Sequence, residues 1–517
     1  MSQPRGSRAF PEFDPMQTAA LSKFLRMCPL VLLASSAACA TSAAATSRAA
    51  LAPSPAPLAQ ASAADAGFDA DFTGGTLRWD YAHCGTTGQE HVASAGWRAE
   101  GPWPGSRTRL LDHSNLGLYQ FVLVEAATQR ALYSRGFASI FGEWQTTGEA
   151  KRAWRSFEES VRFPEPRGAA LLVLKKRGAH GGFVEIHSEP LDPTGRAIDR
   201  APIASRGTLR APLEHGPAAH KVDLLILADG YAASELEQFE ADAARLSAVL
   251  FETEPFRARR ADFNLRTLHV PSDESGISNP RGGTWRKSAL QCSFNAFDSD
   301  RYVLTYADRA LRELAAQAPY DALILLFNAR KYGGGGIYNL WSTCAAGSEQ
   351  APYLFVHEFG HSFAGLADEY YSSQVAYEEF TPPGLEPWEP NVTALLDPAR
   401  LKWRDLVAQG TELPTPWGKQ RYDELDLAYQ AKRAELAASG GSDEAAEALF
   451  REVKQATQPL LAAEPHYGAV GAFEGAAYES KGLYRPEVDC IMFTRNPTHF
   501  CAVCRRAIER VIDLYTH

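Results

Sequence analysis

The chain has 517 residues, too many for one ordinary core, so two or more domains are expected. A hydrophobic content of 45% and an aromatic content of 11% suit a globular protein with sizeable cores. The formal charge of −10 is modest for this length, and no Lys/Arg-rich run appears, which argues against a nucleic-acid partner.

The amino-terminal 40 residues read as a leader. Lys23 and Arg26 precede the apolar run 27–33, and small residues follow through Ala40. This is the order of a secretory signal peptide, and the run is too short to favour a transmembrane span. The first fifteen residues fit poorly in front of it, so Met16 is the expected start. The protein is therefore expected to be exported: periplasmic, cell-surface or secreted. Residues 36–39 form a loose lipobox, which makes a lipid anchor at Cys39 the one membrane contact considered. Residues 41–68 are rich in Ala, Ser and Pro and read as a tether.

Residues 69–200 change character. Short apolar runs at 118–124, 131–133 and 169–174, punctuated by Gly, Pro and Asn, suggest an all-β sandwich. It carries no clustered catalytic constellation, so binding, positioning or shielding is its expected role. Residues 201–219 read as a linker. A second domain, 215–517, then opens with a buried strand at 222–227, a helix from 234 to about 251, and strands at 264–270 and 322–327. The glycine run 333–336 lacks the Lys-Ser/Thr and helix of a phosphate loop, and is expected to shape an edge strand at 337–342 that extended substrate can approach.

The chemistry concentrates in the next helix. His357-Glu358-Phe359-Gly360-His361 places two imidazoles four residues apart, on one helical face about one turn from each other. That spacing suits two corners of a tetrahedral zinc ion, with Glu358 beside them as the base that takes a proton from the metal-bound water. Pro352 stands near the helix start and Gly365 where the helix should stop and the chain turn back toward the metal. The returning acid is expected to be the third ligand. Asp368 is the first choice, with Glu369 and the downstream Glu474 as alternatives. The landmarks are one position later than in the H-E-x-x-H-x-x-G-x-x-H/D pattern of metzincins.

Residues 372–470 interrupt this unit, with helical spacing at 422–438 and 442–461 separated by Gly440-Gly441: a helical insertion at about 418–465. Downstream, Met492 suits a Met-turn that supports the metal ligands without ligating. It is the only methionine outside the leader region. Thr494 occupies the position where some metzincins carry an assisting tyrosine, so the oxyanion donor must be another group. Tyr484 is the first choice, ahead of Arg485, His499 and Tyr370. Once Cys28 and Cys39 are assigned to the leader, six cysteines remain: Cys84, Cys292, Cys344, Cys490, Cys501 and Cys504. In an oxidising compartment disulfides are expected, with Cys490 joined to Cys501 or Cys504. Zinc ligation by Cys501-x-x-Cys504 lacks a second half-site.

The segment HEFGHSFAGLADEY (357–370) resembles the signature of the IgA-peptidase family of bacterial zinc metalloendopeptidases. Further similar segments are DLLILADGY (223–231), NAFDSDRY (295–302), KYGGGGIYN (331–339) and SKGLYRPEVDCIM (480–492). Asn115-Leu116-Gly117 and SRGFASIFGEW (134–144) resemble the domain that accompanies this peptidase. The resemblance runs from about residue 75 to the end. It implies an α+β zincin-like, metzincin-type catalytic domain, one catalytic zinc ion and a polypeptide substrate, without fixing which polypeptide. Two other readings are an inactive surface-binding protein, against which an intact Glu358 argues, and a zinc amidase acting on cell-wall or small substrates.

Overall fold

The computed structural model describes residues 67–372, 382, 384–496 and 499–516. The leader, Cys39 and nearly all of the tether lie outside the described residues.

After a one-turn helix α1 (Phe68–Asp71), two long strands, β1 (Phe72–Thr86) and β2 (Gln89–Pro102), form an antiparallel ribbon. Strands β3 (Tyr119–Glu125) and β4 (Ala131–Phe137) follow, then a short helix α2 (Ile140–Trp144), and then β5 (Arg155–Pro166), β6 (Ala170–Arg177), β7 (Phe183–Leu191) and β8 (Ile198–Asp199). They make two four-stranded sheets, ordered β5-β1-β2-β8 and β4-β3-β6-β7. Leu77, Trp79, Trp97 and Phe163 from the first sheet meet Phe121, Phe137 and Leu172 from the second in one core. Alternation along each strand sends these side chains inward, as the pleat requires.

The two-sheet region is tied to the rest of the chain by buried polar contacts as well as apolar ones. Arg78, 1% exposed, is held by Asp80, Glu100 and Glu313. Ser160 donates to Asp308 at 2.6 Å and accepts from Arg312 at 3.1 Å. Ile140, Phe141 and Trp144 of α2 and Phe157 of β5 belong to the larger core of the following region. Removing one partner of a buried charge network of this kind costs about 3–5 kcal/mol.

That larger region is built on a mixed sheet. Its strands are β9 (Thr208–Leu213), β10 (Val222–Asp229), β11 (Phe263–His269), β12 (Ala322–Phe327), β13 (Gly334–Ile337) and β14 (Trp341–Ala345). The order is β13-β14-β12-β10-β11-β9. The four inner strands are parallel, and both edge strands run antiparallel to their neighbours. β10 is buried along its whole length, which a central parallel strand covered on both faces demands. Helix α3 (Leu236–Glu252) follows β10, and α4 (Asp308–Ala315) precedes β12. The expected linker at 201–219 is corrected here, since residues 208–213 pair with β11 as an edge strand.

The glycine run also differs from its expected place. The glycines are themselves the edge strand, and the chain turns before Trp341. Each serves a close packing contact. A Cβ on Gly336 would stand 2.4 Å from the Glu358 carbonyl oxygen and 2.8 Å from the His361 Cβ; one on Gly335 would meet the Tyr302 ring at 2.3 Å. The sheet edge thus lies flush against the next helix, α5 (Ala351–Ala364).

The insertion forms an antiparallel pair, α6 (Lys419–Ala438) and α7 (Asp443–Ala462), joined through Gly440, whose φ is +70°. The guanidinium of Arg495 lies over the Phe450 ring of α7 at 3.8 Å and over Tyr332 at 4.1 Å, pinning the hairpin to the centre of the domain. A two-stranded hairpin, β15 (Phe473–Ala476) and β16 (Glu479–Arg485), and the carboxy-terminal helix α8 (Ala502–Thr516) complete the described chain.

Candidate metal centre

Helix α5 begins with Pro352 in its first turn and ends at Gly365, whose φ of +63° a side chain would make strained. The Gly365 N–H donates to the His361 carbonyl at 3.0 Å and the Leu366 N–H to the Gly360 carbonyl at 3.4 Å. A Cβ at Gly365 would also come within 2.9 Å of Trp388. This turn reverses the chain and carries Asp368 back beneath the helix.

His357, His361 and Asp368 converge there. The two Nε2 atoms are 3.1 Å apart, and Asp368 Oδ1 lies 3.0 Å from the first and 3.3 Å from the second. A tetrahedral ion with ligand bonds near 2.0 Å separates its donors by about 3.3 Å, so the three atoms are spaced as corners of one coordination shell. Asp368 Oδ1 is buried and accepts no hydrogen bond. The opposite ring nitrogens are fixed by protein groups. His361 Nδ1 lies 2.6 Å from the Leu366 carbonyl oxygen, and His357 Nδ1 lies 3.0 Å from both the Ile491 carbonyl oxygen and the Tyr353 hydroxyl. With the Nδ1 sides so committed, Nε2 is the ring nitrogen that each histidine turns toward the others, as a metal-binding histidine requires.

The electrostatics agree with a place for a cation. Burial works against a charged imidazole at His361, yet the Asp368 carboxylate more than offsets it and pushes the ring up to about 9. Burial also works against a charged Asp368, but the two imidazoles hold its carboxyl far below the usual range. Glu358, partly exposed beside them, is shifted the other way. Burial raises it, the histidines oppose that, and Asp368 reinforces it.

Asp368 Oδ2 accepts a 2.5 Å hydrogen bond from Tyr478, a residue that sequence reasoning missed. Tyr478 sits in the β15–β16 turn with a φ of +68°, and its ring meets Tyr370 edge-on at 5.6 Å. No spacing rule links it to the helix. Tyr353, one helical turn before His357, was open to the i, i+4 argument and was also missed.

Of the other sequence candidates, Tyr370 stays beside Asp368, whereas Tyr484, Glu474 and Glu369 fall elsewhere. Tyr484 lies in β16, where its backbone exchanges hydrogen bonds with Thr393; among the described residues it makes no hydrogen bond or ring contact with the His357–His361–Asp368 group. Glu474 stands opposite Tyr484 in the same hairpin, its carboxylate accepting from the Gly482 N–H. Glu369 points away from the histidines altogether, toward Cys504. Met492 is fully buried under α5, where a Cβ on Gly360 would come within 3.3 Å of its sulfur. The backbone beside it does further work: Ile491 holds His357 and the Met492 carbonyl accepts the Glu369 N–H at 2.8 Å.

The expected disulfides are corrected. All six cysteines of the described chain are free thiols, and the Sγ atoms of Cys490 and Cys504 are 3.9 Å apart, against about 2.05 Å in a disulfide. The ligand atoms of Cys490, Cys501, Cys504 and Glu369 instead all lie within 4.8 Å of one another.

Comparison with known families gives two matches. The family described as IgA Peptidase M64 matches residues 211–512, and the one described as Peptidase M64 N-terminus matches residues 67–188. No curated protein matches the chain.

Proposed function

The chain belongs to the IgA peptidase M64 family, a family of metallopeptidases, and from that premise we propose that it is an exported zinc-dependent endopeptidase with its active centre on α5. The observation that carries the zinc and the centre is the convergence of His357 Nε2, His361 Nε2 and Asp368 Oδ1 within 3.3 Å of one another, with Glu358 beside them. His357, His361 and Asp368 would hold the ion; zinc bound there supplies Lewis acidity that makes water nucleophilic near neutral pH and polarises a carbonyl.

The residues of the chain supply the rest. Glu358 accepts the proton of the attacking water and returns it to the leaving amine. Burial, reinforced by Asp368 and opposed by the two histidines, raises its carboxyl pKa, the direction that a group taking up and returning a proton requires. Ile491 and Leu366 fix the two imidazoles through their carbonyls, and Tyr478 fixes Asp368. The glycine strand β13 seats α5 against the sheet, so ligand positions follow from the core instead of from a free helix. The export reading rests on the leader, and the amino-terminal sheets are assigned a positioning role because their buried polar contacts fix them to the peptidase region.

The test is digestion of an unfolded polypeptide by the full chain and by Glu358→Gln, with zinc counted in both. Internal cleavage by the parent alone, with zinc in each, is the expected result. Zinc in both and cleavage by neither would overturn a broad endopeptidase and point to narrow specificity or an amidase. No zinc in either would favour the binding-protein reading. Retained cleavage by the variant would remove Glu358 from the mechanism.

A further inference from the structure

Behind Asp368 lies a second group of donors that the peptidase reaction does not use. Glu369, Cys490, Cys501 and Cys504 are all buried, and their ligand atoms lie within 4.8 Å of one another. We propose that these four residues form a structural site for a thiophilic divalent cation, zinc foremost, separate from the His357–His361–Asp368 centre.

Three observations point there independently. The first is spacing. Cys490 Sγ is 3.9 Å from Cys504 Sγ, and Cys504 Sγ is 3.4 Å from Glu369 Oε1. Tetrahedral zinc with Zn–S bonds of about 2.3 Å and Zn–O bonds of about 2.0 Å separates two sulfurs by about 3.8 Å and a sulfur from an oxygen by about 3.5 Å.

The second is a buried oxygen without a partner. Glu369 is 0% exposed, and its Oε2 has no hydrogen-bond partner. Asn391 donates to Oε1 at 2.9 Å. The buried guanidinium of Arg485 attracts Glu369 through space but makes no hydrogen bond to it: its two terminal nitrogens donate to the carbonyls of Glu474, Gly475 and Val488, and its Nε has no partner. A carboxylate buried this deeply with one oxygen bare is costly unless a cation or proton meets it.

The third is the setting of the sulfurs. Cys501 immediately precedes α8 and Cys504 lies in its first turn, where the helix end favours negative charge. The Cys501 N–H donates to Cys490 Sγ at 3.3 Å and the Cys504 N–H to Cys501 Sγ at 3.4 Å. Backbone N–H donors are the outer support that metal-bound thiolates need. The half-site missing from Cys501-x-x-Cys504 in the sequence is thus supplied by Cys490 and by Glu369, from two other parts of the chain.

The site would clamp the acid turn after Gly365, the Met-turn and the start of α8 together. It would act on the peptidase centre only by holding the neighbouring Asp368 in place, and it stands whether or not the substrate is a polypeptide.

The test uses the full chain carrying His357→Ala and His361→Ala, loaded with zinc sulfate and desalted. Zinc is counted and its X-ray absorption recorded. The expected result is one zinc per chain with sulfur neighbours at about 2.3 Å. The reciprocal protein, Cys490→Ser with Cys501→Ser, should keep zinc with only nitrogen and oxygen neighbours; should it fail to fold, the histidine variant decides alone. A folded histidine variant that binds no zinc, or binds it without sulfur, would overturn the site. So would a disulfide among the three cysteines in the zinc-loaded parent, seen by non-reducing peptide mapping.

Discussion

Asp368 and Glu369 are consecutive in the chain and face opposite ways. Asp368 looks up at two imidazoles on a helix with a partly exposed Glu358 beside it, while Glu369 looks down into three cysteines with no solvent at all. One cluster has nitrogen and oxygen donors, a base and a route to water. The other has sulfur donors, a helix start and complete burial. An open side belongs to chemistry and a closed one to structure. The same turn after α5 is required by both.

That contrast can be broken in steps of decreasing size. Glu358→Gln should lower polypeptide hydrolysis by about 10²–10⁴-fold or more, since general acid–base catalysis contributes on that order, while leaving the metal content of both clusters unchanged. Steady-state rates beside a zinc count would check it; a loss of zinc would mean that Glu358 is a ligand instead of a base.

Tyr478→Phe removes the hydrogen bond to Asp368 Oδ2 and should weaken zinc at the histidine cluster by about 10–100-fold, with sulfur-bound metal unaffected. A chelator competition on the two classes of site would show it. Equal weakening of both would merge the clusters into one unit.

Gly365→Ala forces a side chain into a left-handed turn 2.9 Å from Trp388, and should cost about 1–2 kcal/mol or more. Because the turn feeds Asp368 and Glu369 alike, both metals should be held less tightly, as measured by thermal melts with and without chelator. Met492→Leu is the mildest change. The pocket under Gly360 keeps its volume, so about 1.5 kcal/mol or less should be lost, with hydrolysis nearly unchanged. A large loss of activity would give the sulfur itself a role.

Much of this arrangement was legible in the sequence because it depends on local rules. The α5 helix, its proline start and its glycine stop follow from spacing and backbone preference, and the placing of Asp368 follows from the turn. The buried strands β10 and β12 showed as apolar runs. The paired helices of the insertion showed as periodicity on either side of Gly440. What sequence could not give came from contacts between distant segments. The long ribbon β1–β2 carries too many polar residues to stand out, since Arg78 is satisfied by carboxylates 22 and 235 residues away. Tyr478 reaches Asp368 across 110 residues. Disulfides were expected among the cysteines because export implies an oxidising compartment and Cys501-x-x-Cys504 lacks a second half-site nearby; Glu369 reaches Cys504 across 135 residues. The glycine run was expected to shape an edge strand, and it forms one; its close packing against α5 was not legible because that helix lies later in the chain.

The most direct measurement compares Asp368→Ala with Glu369→Ala in the full chain, scoring polypeptide cleavage and nitrogen/oxygen-bound zinc in each. The account predicts that Asp368→Ala loses both, and that Glu369→Ala keeps zinc on the histidines and measurable cleavage while losing sulfur-bound zinc. Loss of histidine-bound zinc in Glu369→Ala with retention in Asp368→Ala would contradict it, and would move the third ligand one residue along the chain.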